Sequence, residues 1–420
     1  MSTVPSMILA NDKNVLAKNL LGISKIQRLT GNEIKDLVSK GYNVNEVDKN
    51  NDTALLIACT HNQSIIPDLI EAGADVNCRN NEGVTPLIDL MYHFNSIDVK
   101  LANKMLDLLL LSGANANTCD NKGNYPLTLI KPTSSQSVDV FLNHKDKINF
   151  NVSNENSKTL LMCLAEHDSN EEKEDGGYLL KLLILGCCCL EQEDALGQTA
   201  IHYAAENMSA SGVQLLAEFG VDINKQDKYG NTPLMCAIYM SSYESKQEHI
   251  EWLLKNNANV DLKDKQKETA LMIAAEYNSK VINLLLDSSD ETLNDKNKDG
   301  ETALHISIKH DNMDSVDKLL ECPSLNKMVL DNLDNNYLMY AINEGACVDM
   351  ILAIINSNEQ DIDFDYQNKN GETVFSLALK HYKNNDNVIK ALTAKKFKQE
   401  ASIMNGKFNK NKSKKSKKML

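Results

Sequence analysis

Aromatic side chains are scarce in this sequence. They make up 5% of its 420 residues, and Trp252 is the single tryptophan. A core with few large rings must be filled by Leu, Ile and Ala, which suits closely packed helices. Long apolar runs are lacking too. The longest, Tyr178–Leu190, contains Lys181 and falls short of the roughly 20 residues that a membrane-spanning helix needs, so no membrane association is expected. The first residues, MSTVPSMILANDKN, have no basic start and no adequate apolar stretch, which argues against a secretory signal. The ten cysteines show no paired spacing of the kind that staples a small secreted fold. Several lie on apolar helix faces (Cys59, Cys163, Cys236), where a free thiol acts as a small hydrophobe. A reducing compartment is expected, with the protein cytoplasmic.

Catalytic signatures are also wanting. There is no Gly-rich phosphate loop, no H-E-x-x-H and no G-x-S-x-G, and the nine His are dispersed. The Cys187-Cys188-Cys189 triplet has no C-x-x-C or nearby His to complete a tetrahedral metal site. The acidic runs Glu171–Asp175 and Asp361–Asp365 lack the spacing of a calcium loop. No enzyme, no cofactor and no metal site is expected.

What the chain does have is repetition. GQTAI at Gly197–Ile201 returns as GNTPL at Gly230–Leu234, 33 residues later. Each part of the unit has a physical role. Asp227-Lys228-Tyr229-Gly230 reads as a turn, Thr232 as a helix N-cap, and Pro233 fills the first helical position, where a missing N–H costs nothing. Ser211–Phe219 reads as a second helix that Gly220 ends. Two short helices and a hairpin cannot bury their apolar faces alone, so the units must stack. The capping position recurs at Thr53, Thr85, Tyr125, Thr159, Thr199, Thr232, Thr269, Thr302, Asn336 and Thr373, at spacings of 32, 40, 34, 40, 33, 37, 33, 34 and 37. Tyr125 and Asn336 depart from Thr, and Asn154–Ser157 lacks the turn glycine.

The pieces Thr199-Ala-Ile-His-Tyr-Ala-Ala205, Thr269-Ala-Leu-Met-Ile-Ala-Ala275 and Thr302-Ala-Leu-His-Ile-Ser307 resemble the T-P-L-H-x-A signature of the ankyrin repeat. The resemblance implies an all-α solenoid of about ten or eleven helix-turn-helix units joined by β-hairpin loops, filling residues 20–393. Residues 1–19 read as a leading segment, and Leu20–Asn45 as a degenerate first unit. Extra residues at Tyr92–Lys100, Glu166–Gly177 and Met240–His249 are expected to lengthen loops between the two helices of a unit. The resemblance also makes His202 and His305 structural, bonded to their capping threonines.

Charge is uneven. The net formal charge is −14, yet residues 394–420 hold ten Lys and one Glu, so the tail is +9 and the rest −23. The tail has no apolar periodicity and reads as disordered. Lys410, Lys412, Lys414, Lys415, Lys417 and Lys418 form a candidate nuclear-import or nucleic-acid patch, set against a plain solubilising role. The acidic body argues against nucleic acid on the repeats themselves.

Function is then expected to be protein binding by a monomeric, non-catalytic scaffold or adaptor. A host-directed effector of a virus or intracellular bacterium is one alternative, and a tail-mediated nuclear or nucleic-acid-associated regulator another. The resemblance places partners on the hairpin tips: Asn121, Lys122, Asn124, Leu196, Gln198, Lys228, Tyr229, Asn231, Lys265 and Gln266, with Tyr229 the best anchor.

Overall fold

In a computed structural model the described residues are 29–41, 43–130, 137–167, 177–207, 209–241, 247–357, 362–382 and 387–400. They divide into two units, one ending at Asp222 and one beginning at Ile223.

The first unit contains α1 (Gly31–Ser39), α2 (Ala54–His61), α3 (Ile66–Glu71), α4 (Pro86–His93), α5 (Val99–Leu111), α6 (Ser137–Asn143), α7 (Leu160–His167), α8 (Gly177–Leu185), α9 (Ala200–Glu206) and α10 (Ala210–Glu218). The second contains α11 (Pro233–Met240), α12 (Glu248–Lys255), α13 (Ala270–Tyr277), α14 (Ile282–Ser288), α15 (Ala303–Lys309), α16 (Met313–Glu321), α17 (Tyr337–Glu344), α18 (Val348–Ser357), α19 (Val374–His381) and α20 (387–400). The fold is all-α. Among the described residues, extended pairing is confined to isolated bridges such as Val47 with Thr53.

The repeat is built from three local devices. A turn Asp or Asn accepts two backbone N–H groups: the Asp227 carboxylate takes those of Tyr229 and Asn231, both at 2.8 Å. Five residues after the turn residue comes the cap. Thr232 accepts the Met235 N–H at 3.3 Å, and Thr269 that of Met272 at 3.3 Å. Both threonines are buried, so each cap satisfies a donor that water cannot reach. The third device links neighbours. The Asn77 amide donates to Gly113 O at 3.0 Å and accepts from Asn115 N at 2.8 Å, and Asn45 and Asn117 do the same one repeat to either side. Much of the chain's asparagine serves these turns and bridges.

Inner helices are buried nearly all round because neighbours cover both flanks. In α15 Ala303, Leu304, His305, Ile306, Ser307 and Ile308 are all buried. The outer helix α16 buries only Ser315, Val316 and Leu319 and turns its charged residues outward.

Several expectations are corrected. Tyr125 does not cap through its side chain; its N–H donates to Thr128 Oγ1 at 3.0 Å, and the inner helix there shrinks to a 3-10 turn, Pro126–Leu129. The extra residues at Tyr92–Lys100 mostly extend helix, since α5 runs for 13 residues and only a short 3-10 turn precedes it. The inserts at 168–176 and 242–246 lie outside the described residues, as does the leading segment. Residues 394–400 are helical within α20, so the domain edge set at 393 falls inside a helix. Val388 and Leu392 are fully buried, which anchors that helix. Asn336 does cap, accepting Met339 N at 3.0 Å. The turn lacking glycine still forms, with Ser157 at φ 61°.

Candidate interaction surface

The hairpin tips are joined by single backbone bonds between neighbours. In the first unit Asn121 N donates to Glu82 O at 2.9 Å, and in the second Lys265 N donates to Tyr229 O at 2.8 Å. These bonds fix the backbone and leave the tip side chains to face solvent. Lys122, Leu196, Tyr229, Lys265 and Gln266 are exposed, as is Lys228. The other expected contact residues serve the fold. Asn121 donates to Asn81 O at 3.0 Å, Asn124 to the Tyr92 hydroxyl at 2.9 Å, Gln198 to Glu206 at 2.5 Å, and Asn231 to Asp227 at 3.2 Å. The six tail lysines lie outside the described residues.

The sequence reading missed a second row of candidates. Counting from each turn Asp or Asn, the fourth residue stands just before the cap and the twelfth in the last turn of the inner helix. In three described repeats their side chains form an ion pair across eight positions. Lys158 pairs with Glu166, Lys309 with Glu301 at 2.9 Å, and Lys380 with Glu372 at 3.0 Å. Other described repeats hold no such ion pair: the two positions are Val84 and Tyr92, Asn231 and Tyr239, or Glu268 and Glu276.

Tyrosines border this column. In the first unit the Tyr203 hydroxyl donates to Asp194 at 2.9 Å, and Lys158 Nζ sits 4.2 Å from the centre of the Tyr203 ring. Burial and the bond to Asp194 both push the Tyr203 phenol far up. Tyr92 donates to Asp120 at 2.6 Å, and burial with that bond raises its phenol to about 12. In the second unit Tyr340 donates to Glu301 at 2.7 Å. Burial alone would raise Glu301, but the Tyr340 hydroxyl and Lys309 ammonium outweigh it and hold the carboxyl below its usual range. Tyr239 and Tyr277 stack edge to face with centroids 4.8 Å apart, and both rings remain exposed, 46% and 39%. Burial raises Glu268, Asn297 opposes, and the carboxylates of Asp264, Glu276 and Glu301 raise it further. The signal that could have found this row is the twelfth position, where Tyr92 and Tyr239 both fall.

The histidines stand as expected. His202 Nδ1 accepts from Thr199 N at 3.1 Å, and His305 Nδ1 from Thr302 N at 3.2 Å. Both rings are buried, which is a capping role. The ten cysteines are free thiols. Cys187 and Cys188 are half-buried and Cys189 is exposed, with its N–H donated to Asn151 Oδ1 at 2.5 Å. Burial pushes the Cys188 thiol well up, away from reactive thiolate. No described helix is long and apolar enough to cross a membrane.

Stacked helix pairs with side-chain-bearing tips define a class of helical repeat proteins that present a surface rather than a pocket. A family model for ankyrin repeats in three copies matches residues 173–264 and 239–331, and one for a single ankyrin repeat matches residues 50–81. An ankyrin repeat protein of Acanthamoeba polyphaga mimivirus is 32% identical over 255 residues, 60% of this chain and 31% of that protein. Inversin of Canis lupus familiaris is 28% identical over 150 residues, 34% of this chain and 14% of inversin. Rabankyrin-5 of Mus musculus is 31% identical over 129 residues, 30% of this chain and 11% of rabankyrin-5. The chain thus spans 31% or less of the length of these relatives. The chain is an ankyrin-repeat protein.

Proposed function

We propose that the chain is a non-catalytic protein-binding scaffold, contacting its partners through the hairpin tips and the inner-helix column beside them. The observation that carries this reading is apolar display on the tips. Tyr229 is 58% exposed, Leu196 46% and Leu333 46%, although the backbone beneath them is bonded from repeat to repeat. Side chains that fold maintenance does not require, held on rigid turns, are suited to recognition. Affinity capture compares wild type with Tyr229→Ala, Leu196→Ala and the pair together. Loss of specific partners from the pair supports the reading, and an identical partner list for all four proteins sinks it.

The likeness to a viral chain favours a host-directed version of the same role. The Lys-rich tail adds a separable activity, nuclear import or nucleic-acid contact, to an otherwise cytoplasmic protein. Deleting residues 407–420 should abolish nuclear accumulation or a strongly salt-dependent RNA affinity. If neither exists to be lost, the tail is inert.

A further inference from the structure

We infer that three successive hairpin tips of the second unit form a lysine ridge that docks an extended acidic segment of a partner protein. The inference rests on the scaffold reading and names the chemistry its partner must bring.

The ridge is read from the tips themselves. Lys228 stands on the first, Lys263, Lys265 and Lys267 on the second, and Lys296 and Lys298 on the third, every one exposed. Nearby acids are turned inward or already engaged. Asp227 is buried and accepts the Tyr229 and Asn231 N–H groups, and Asp264 accepts those of Gln266 and Glu268 at 2.8 and 2.7 Å. From each turn residue to its cap, Asp299 is the one exposed acid. Lys263 pairs with Asp295 at 2.7 Å, whereas Lys265, Lys267, Lys296 and Lys298 make no ion pair among the described residues.

The cations also stand on fixed ground. Lys265 N donates to Tyr229 O and Lys298 N to Gln266 O, both at 2.8 Å, so each tip is tied to the one before it. Lys267 holds φ 62°, where the tips on either side have glycine, Gly230 and Gly300. A cation thus occupies a backbone position that glycine fills more easily. The first unit shows that the ridge is no general property of the repeat. Its exposed tip charges alternate in sign along the chain: Lys49, Glu82, Lys122 and Glu155.

Charge and spacing choose the occupant. Outside the tail the chain carries −23, so these tips are a cationic exception on an acidic molecule. A long polyanion such as nucleic acid would meet that wider negative field, while a short acidic segment meets only the ridge. Neighbouring packed helices lie about 8–10 Å apart, and an extended chain advances about 3.3 Å per residue. An acid at about every third position therefore meets one tip after another. The chain's own Lys-rich 407–420 segment has the wrong sign for this seat.

The test uses the full chain and fluorescence anisotropy with three labelled 12-residue peptides of Gly, Ser and Ala. One carries Glu at every third position, one carries Gln there, and one gathers the same Glu residues at one end. The spaced Glu peptide should bind about fivefold or more tighter than the Gln peptide and about twofold or more tighter than the gathered one. Lys265→Gln with Lys267→Gln, and separately Lys296→Gln with Lys298→Gln, should each weaken it roughly threefold, and all four together roughly tenfold. Lys255→Gln with Lys280→Gln removes the same charge from the outer-helix side and should change binding by less than about twofold. Circular dichroism melts confirm folding of each variant. The preference should survive deletion of 407–420, and its loss with the tail alone overturns the inference. Equal binding of the Glu and Gln peptides overturns it too, as does equal weakening in the Lys255/Lys280 control. A single-stranded RNA of equal charge that displaces the peptide at lower concentration overturns the choice of a protein partner. Dimerisation in sedimentation velocity that the four-lysine variant abolishes overturns the choice of an outside one. Cellular partners that survive the four-lysine variant but are lost with the Tyr229/Leu196 pair leave the scaffold reading standing and this inference failed.

Discussion

Tyr203 in the first unit and Tyr277 in the second stand beside the same column of side chains but in opposite electrostatic company. Tyr203 lies under the ammonium of Lys158, whose charge Glu166 balances. Tyr277 bonds Glu276, and the neighbouring fourth position adds Glu268. The residue at one register position thus sets whether an ammonium or a second carboxylate stands in the column. Within a repeat fold that is a cheap way to specialise, because exchanging one charge at an eight-residue pair disturbs no helix, cap or turn.

The largest contrast to probe is pH. His249 and His305 are buried in the second unit, and burial lowers each to about 4; for His305 the carboxylates of Asp331 and Glu301 only partly oppose this. Above about pH 6.5 these rings are neutral in both folded and unfolded chain and contribute no pH dependence. As pH falls from 6.5 towards 4 the unfolded chain takes up protons that the folded unit refuses. Stability is lost across that window, on the order of 3 kcal/mol for each ring. Thermal melts of His249→Leu and His305→Gln between pH 7 and 4 should flatten this dependence, and an unchanged pH slope in both would rule the rings out as its source.

Next come the turns. Gly230 sits at φ 89°, and a Cβ there would stand 2.8 Å from the Asp264 Cα. Gly230→Ala should cost about 2 kcal/mol or more. The equivalent position one repeat on is Lys267 at φ 62°. Lys267→Gly should stabilise by up to about 1 kcal/mol. Urea denaturation midpoints moving in the same direction for both would break this explanation.

The comparison itself can be inverted. Glu276→Lys gives this repeat the acid–base pair that Glu301 and Lys309 make one repeat on. It should change stability by less than about 1 kcal/mol, and a urea midpoint shift equivalent to more than about 2 kcal/mol would show that the paired charges matter to the fold. Smallest of all, Lys158→Met should cost the first unit about 1 kcal/mol. A urea midpoint unchanged from wild type would show that the ammonium over the ring contributes nothing to stability.

The parts of this fold that sequence exposes are those fixed by local chemistry. Thr232, Pro233, Gly230 and Asp227 each have one conformational role, and their recurrence gave the period, caps and turns. His202 and His305 followed from their place beside the cap. What stayed hidden depends on a neighbouring repeat. Pro126 looks like a normal first helical residue, yet its helix stops after one 3-10 turn. Asn121 and Asn124 look free at a tip but are spent on Asn81 and Tyr92. Tyr239 looks like one of many apolar helix residues until α13 sets Tyr277 against it. The end of α20 ran past residue 393 because lysines at its surface mask the two apolar side chains, Val388 and Leu392, that hold it.

The asparagine bridges carry a last consequence, for how such a chain can change length over generations. From Asn45, Asn77, Asn117 and Asn151 to the turn residue is always three positions, and from there to the cap five, while the distance between caps drifts from 32 to 40. A residue inserted between bridge and cap would tear the amide from its carbonyl and shift the helix behind it. One inserted between the two helices meets no such tie. The repeat therefore has a fixed clause and a free one, and lineages can lengthen or shorten it only in the free one without losing register.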